Sequence, residues 1–147
     1  MKIIGVTQAR IGSSRLPRKV LLTINDKTLL EYHLERAIQS KLVNKWIVAT
    51  TDEPESDLIC DIANKLQISN YKGSLNDVLD RFYQSVKNEN PDYVVRVTSD
   101  CPLLDATLVD GVVQFCIDNK LDYYSNVFQE VYPDGLDVEV FCFKALE

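Results

Sequence analysis

Short apolar runs of β character alternate along the chain with amphipathic helical patterns, and this alternation leaves few folds open. Lys2–Thr7 reads as a buried first strand, Lys45–Thr51 as a second, Ile68–Tyr71 as a short one and Tyr93–Thr98 as a third long one. Between them, Thr28–Ser40 places Leu29, Leu30, Leu34, Ala37 and Ile38 at helical spacing. Asp52 with Glu55 forms a capping-box pattern, and Pro54 suits a first turn, so a helix carrying Leu58, Ile59, Ile62, Ala63 and Leu66 is expected from Asp52. Ser74 with Asp77 repeats that signature before a helix over 75–88, and Asp105 caps another bearing Leu108, Val109, Val112, Val113 and Phe115. Tyr123–Phe128 and Asp137–Phe143 read as late strands flanking a turn at Tyr132–Gly135. Strands that alternate with helices bury their apolar faces as a mostly parallel sheet with helices on both sides, an α/β fold. At 147 residues the chain suits a single domain, 1–147, with its own core.

In such sheets ligands sit beyond the carboxyl ends of the strands, at a topological switch point. Two segments fall there. The first is the loop QARIGSSRLPRK, where Arg10, Arg15, Arg18 and Lys19 accompany Gly12, Ser13 and Ser14. Guanidinium forks and a lysine point charge suit phosphate oxygens, and small residues let backbone N–H groups approach. The bland alternative is a solvated loop. Neither GxxxxGK[ST] nor a GxGxxG after the first strand is present. The second segment is Asp100, just past the Tyr93–Thr98 strand. It reads either as a carboxylate able to hold Mg²⁺ beside phosphates or as a turn cap before Pro102.

The formal net charge of −6 argues against nucleic-acid or anionic-membrane partners and makes a local cationic loop more telling. The N-terminus is too short in apolar residues for a signal peptide and no 18-residue apolar run occurs, so a cytoplasmic protein is expected. Cys60, Cys101, Cys116 and Cys142 are dispersed and read as reduced thiols. His33 has no histidine or cysteine partner for zinc and reads as a surface or core filler; Trp46 reads as core.

Residues 8–22 resemble the signature loop of the CMP-sugar synthetases, the acylneuraminate and 3-deoxy-manno-octulosonate cytidylyltransferases, and most nearly their spore-coat polysaccharide (SpsF-type) branch. Three further blocks share the family's order: GSLNDVLDRFY (73–83), VVRVTSDCPLLD (94–105) and YPDGLDVEVF (132–141). The resemblance implies a Rossmann-like, glycosyltransferase-A-type fold, CTP and a sugar as substrates, Mg²⁺ as cofactor and a homodimer. It places Arg10, Gly12, Ser13, Arg15 and Lys19 around the triphosphate, with Arg10 and Lys19 in catalytic roles. It puts Asp100 on the metal, and the base and ribose near Gly73 and Ser74. Ser74 and Asp77 are equally explained as a helix cap, and Arg81 as an i,i+4 partner of Asp77. Asp137 and Glu139 fall on one face of a strand and suit sugar hydroxyls or a metal, or else a merely exposed face.

Two positions depart from the family pattern: Arg18 and Ser99 stand where glycine is common. Family members also continue well past the last block, into a part that supplies a second metal-binding aspartate and dimer contacts. The expectation is therefore a C-terminally truncated chain with one convincing metal ligand, unless Asp137 or Glu139 takes over.

Overall fold

The structure is a computed structural model, and it describes residues 1–12, 16–128 and 131–146. The elements run β1 (Ile3–Gln8), β2 (Thr23–Ile24), β3 (Lys27–Thr28), α1 (Leu29–Ala37), β4 (Lys45–Thr51), α2 (Asp57–Lys65), β5 (Ser69–Gly73), α3 (Val78–Val86), β6 (Tyr93–Thr98), α4 (Ala106–Asp118), β7 (Tyr123–Ser125) and β8 (Glu139–Cys142). Six strands form one sheet in the order β5-β4-β1-β6-β8-β7. β5, β4, β1 and β6 are mutually parallel, and β8 runs antiparallel to both β6 and β7. The mostly parallel α/β sheet with helices is thus observed, and the order of strands reverses between β1 and β6.

Alternation along β1 explains the two cores. Ile4 and Val6 face α3, packing with Ile47, Ala49, Phe82, Val86, Val94 and Phe143. Ile3 faces the opposite side, in the cluster that holds Leu30 and Leu34 of α1, Ile59 of α2 and Val109 and Val113 of α4. Trp46 is buried there, across from Gly5, where an added Cβ would collide with the indole ring.

Several boundaries differ from the sequence reading, each for a local reason. The Asp52 capping box does not form, because the Asp52 N–H bonds Gly73 O at 3.0 Å and so extends the β4–β5 ladder. A 3-10 turn at Pro54–Ser56 follows and α2 starts at Asp57. The real capping box is Thr28 with Glu31 at the head of α1. In α3 the cap is Asp77, whose side chain accepts from Asp80 N, while Ser74 Oγ accepts from the N–H groups of Asn76 and Asp77. Asp105 caps α4 as expected, accepting from Thr107 and Leu108. The Tyr123–Phe128 strand stops at Ser125 and continues as a 3-10 turn, and the last strand is shorter than expected, beginning at Glu139. A small β2–β3 hairpin, turned by Asn25 and Asp26 at positive φ, was not anticipated. All four cysteines are free thiols.

Candidate nucleotide site

β1 and β6 end side by side, and the chain leaves each at the same edge of the sheet. After Gln8 the chain makes one more ladder bond, Ala9 N to Ala49 O at 3.1 Å, and enters the cationic loop. The loop is closed at its neck by Arg18 N to Ile11 O at 3.1 Å, with Ile11 and Val20 buried beneath it. Arg18 has φ 57, a left-handed conformation that disfavours side chains with a Cβ, which explains why glycine is common at this place. It leads into the 3-10 turn Lys19–Leu21 and so aims Lys19. At Ser99, the second departure, φ is not positive, and the buried serine needs no glycine.

The turn after β6 is held by α1. His33 is fully buried, with Nδ1 2.9 Å from Cys101 O and Nε2 3.0 Å from Thr7 Oγ1. A carbonyl only accepts, so Nδ1 carries the hydrogen and Nε2 accepts from the threonine hydroxyl. Burial lowers the imidazole pKa, against the opposing pull of Cys101 O and the Asp100 charge, and the ring stays neutral. Arg36 Nε donates to Leu104 O at 2.7 Å, a second tie from α1 to the same turn. Of the two alternatives for His33, the core one holds.

Across the gap, Lys19 Nζ meets Asp100 Oδ2 at 2.5 Å. Burial pushes the Asp100 carboxyl up, but the hydrogen bond and charge of Lys19 outweigh it, leaving the carboxyl below its ordinary value and ionised. A cavity of about 500 Å³ opens here, lined by Gln8, Ala9, Arg10, Lys19, Val20, Val78, Arg81, Arg96, Thr98, Ser99 and Asp100. Three sequence candidates, Arg10, Lys19 and Asp100, therefore share one cavity.

Among the lining residues not singled out as site residues are Arg81, Arg96 and Gln8. Arg81 is buried and turns to Ser74 O at 2.5 Å rather than pairing with the Asp77 carboxylate. Its Nε has no partner among the described residues. Burial lowers its pKa and the nearby charge of Arg10 lowers it further, against the opposing charge of Asp52. Arg96 is a charge inside the otherwise apolar strand YVVRVT, a signal the sequence did hold. Its guanidinium donates from Nε to Gln8 Oε1 at 3.2 Å and from Nη1 to Glu139 Oε1, directly opposite it on β8. Gln8 is a polar residue closing a buried strand.

The remaining candidates lie around this cavity. Gly12 is exposed on the loop, and Ser13 and Arg15 fall outside the described residues. Gly73 and Ser74 lie behind Arg81, whose Cγ would be 2.9 Å from a Cβ on Gly73. Glu139 lines a second cavity of about 450 Å³ with Gln8, Val78, Leu79, Phe82, Arg96, Tyr123, Phe141, Ala145 and Leu146. Asp137 precedes β8 rather than sharing a strand face with Glu139, and burial with the charges of Asp134 and Glu139 raises its pKa. Among the described residues no group of three or more histidine, cysteine, aspartate or glutamate side chains is placed to hold a metal. Asp100 alone fits Mg²⁺ of the kind that keeps its waters and binds substrate phosphates: an ionised oxygen donor on the cavity wall beside cations suited to a polyphosphate.

The chain as a whole has relatives. The chain is 45% identical over its whole length to an uncharacterized protein of Methanocaldococcus jannaschii, of which it covers 59%. It is 34% identical to the spore coat polysaccharide biosynthesis protein SpsF of Bacillus subtilis, with 99% of the chain and 65% of that protein aligned. It is 33% identical to the 3-deoxy-manno-octulosonate cytidylyltransferase of Bdellovibrio bacteriovorus over 83% of the chain and 49% of that protein. The solved structure of a cytidylyltransferase from Leptospira borgpetersenii superposes with a TM-score of 0.94 at 38% identity, covering 99% of this chain and 62% of that one. The chain thus spans roughly half to two thirds of the length of these relatives. Residues 4–143 match the family model described as Cytidylyltransferase, and the chain belongs to that family.

Proposed function

We propose that this chain carries the nucleotide-binding part of an enzyme that transfers CMP from CTP to a sugar and releases pyrophosphate. The observation that carries the reading is the meeting of Lys19 and Asp100 in one cavity with Arg10, Arg81 and Arg96. Such a site offers a polyphosphate several cations and offers its metal a carboxylate. The cytidylyltransferases named above, one of them acting on 3-deoxy-manno-octulosonate, support CTP as the donor and an acylneuraminate-like or other surface-polysaccharide sugar as the acceptor.

In this reading a sugar hydroxyl attacks the α-phosphorus in line, the new P–O bond forms, the bond to the β-phosphate oxygen breaks so that pyrophosphate leaves, and the hydroxyl proton passes to solvent. Lys19 leaves its ion pair with Asp100 and places its ammonium on the α-phosphate oxygens, where charge builds up. Arg10 holds the triphosphate from the side of the loop, and Arg81 supplies its free Nε–H from beneath. Gly12, Ser13 and Arg15 complete the phosphate grip, and Gly73 and Ser74 flank the base. Asp100, freed from Lys19, would hold Mg²⁺, which supplies charge neutralisation at the phosphates. Asp137 and Glu139 face the sugar.

We place the reaction in the cytoplasm, in a homodimer, without nucleic-acid or membrane partners. No helix of the described residues is long and apolar enough to cross a membrane. The test is to incubate the protein with each nucleoside triphosphate, Mg²⁺ and a panel of sugar acids while following pyrophosphate. Release with CTP above all others is expected. Release with UTP or GTP in its place would assign a different nucleotide. No release from any pairing, with CTP still raising the melting temperature, would leave a binding domain without turnover.

A further inference from the structure

The nucleotide cavity does not end at Arg96. It shares Gln8, Val78 and Arg96 with the second cavity, so the two form one continuous cleft with Gln8 at the junction. The walls differ in kind. The nucleotide side is lined with cations, whereas the second cavity sets an apolar wall, including Leu79, Phe82 and Phe141, against a row of polar groups from β1, β6 and β8. That row is internally paired: Glu139 accepts from Arg96 and from Tyr123 Oη, and Arg96 Nε donates to Gln8 Oε1. Arginine has only donors, so it fixes which end of the Gln8 amide faces it, and Nε2 must point the other way. That Nε2 is buried and has no hydrogen-bond partner among the described residues. A buried donor left unmade is costly, and a ligand oxygen meeting it in the cleft would remove that cost.

We infer that the side-chain amide of Gln8 donates a hydrogen bond to an oxygen of the acceptor sugar, orienting it at the mouth of the nucleotide cavity. The inference rests on the cytidylyltransferase reading above. A neutral amide is a poor choice for a triphosphate that already has Arg10, Lys19 and Arg81, but it suits a hydroxyl or ring oxygen. The apolar wall across from it fits the C–H face of a sugar ring. The Glu139–Arg96–Gln8 chain holds the amide in one orientation, so Arg96 is a positioning residue and Gln8 touches the substrate.

Gln8→Glu gives a selective test, because it keeps an oxygen for Arg96 and removes the free N–H donor. In ¹⁵N-labelled full chain, the Gln8 side-chain amide pair is assigned by its loss in Gln8→Glu. It is then followed as an α,β-methylene analogue of CTP with Mg²⁺ is added, and next as 3-deoxy-manno-octulosonate, N-acetylneuraminate or a neutral hexose is added to that complex. The expected result is a shift on adding a sugar and none on adding nucleotide alone, with affinity of the nucleotide complex for the neutral hexose weaker by about ten-fold in Gln8→Glu. A shift on nucleotide alone would assign the donor to the phosphates and overturn the inference; so would no shift on either addition. Failure of the unaltered chain to bind CTP would instead sink the cytidylyltransferase reading on which this rests.

Discussion

The turn that carries Asp100 and the loop that carries Lys19 meet in one ion pair, yet they are held in different ways. Asp100 sits on a turn clamped from beneath by α1, through His33 to Cys101 O and Arg36 to Leu104 O. Lys19 follows a loop tied at its neck, Arg18 N to Ile11 O, through a residue in a strained backbone conformation. One partner is therefore set by the core and the other by local geometry. The difference teaches where damage should spread. Changes in α1 should reach the carboxylate and the stability of the whole sheet together, and changes in the loop should alter phosphate chemistry with little cost to the fold.

Lys19→Ala should show the loop side most strongly. Its ion pair with Asp100 is about one third exposed on each side, so its loss costs the fold little. With Lys19 in the role proposed for it at the attacked phosphate, its removal is expected to slow pyrophosphate release by about 10²- to 10³-fold. Steady-state rates and a melting curve measured together check this. A variant that turned over at the parent rate would remove Lys19 from the mechanism, and one that melted far below the parent would erase the contrast drawn here.

On the clamped side, His33→Leu fills similar space but leaves Thr7 Oγ1 and Cys101 O without their buried partner. Each unmade group costs about 1–3 kcal/mol, so a loss of about 3 kcal/mol in urea unfolding is expected. It should come with a higher Mg²⁺ requirement, as the Asp100 turn loosens. The same ring makes stability sensitive to pH. Its folded pKa lies below the ordinary value, so its contribution is complete above the unfolded pKa of about 6.5 and declines as pH falls below that. A destabilised variant with an unchanged Mg²⁺ requirement would show that the clamp supports the fold and not the carboxylate.

Glu31 anchors the other end of the same helix. The hydrogen bond from Lys65, then those from Thr28, lower its pKa to about 2 despite burial. A depressed carboxyl contributes stability that is present above its unfolded pKa of about 4.5 and is lost as pH falls towards 2. Glu31→Gln should cost roughly 2 kcal/mol at neutral pH, less as the pH drops through that window, and nothing below it. Equal destabilisation at pH 7 and pH 3 would show that the capping geometry, and not the charge, matters.

The sequence disclosed most of the scaffold because its signals are local and periodic. β1, β4 and β6 lie within a residue of their expected bounds, and Asp105 caps α4 as its spacing implied. Helix starts were less legible where tertiary bonds compete with capping: Asp52 looks like a cap but its N–H belongs to the sheet. The site shows the same division. Arg10, Lys19 and Asp100 stand out by charge at strand ends. Gln8, Arg81 and Arg96 matter through a cross-strand pair, a buried guanidinium and an unmade donor, none of which exists until the strands pair and α3 packs on them. Asp137 and Glu139 were joined by strand alternation, and they separate because β8 begins at Glu139.

The smallest effect tests whether the loop's strain belongs to its function. Arg18 adopts φ 57, a region that costs a residue with a Cβ about 1–2 kcal/mol relative to glycine. Glycine gains conformational freedom in the unfolded chain, which takes back part of that relief, so Arg18→Gly should stabilise the protein by roughly 0.5–1 kcal/mol. The exposed guanidinium of Arg18 does not line the nucleotide cavity, so affinity for CTP should change by less than about two-fold. A large loss of CTP affinity would show that the arginine repays its strained backbone by reaching the phosphates. The loop would then be shaped by the ligand, and the contrast with the clamped Asp100 turn would be sharper.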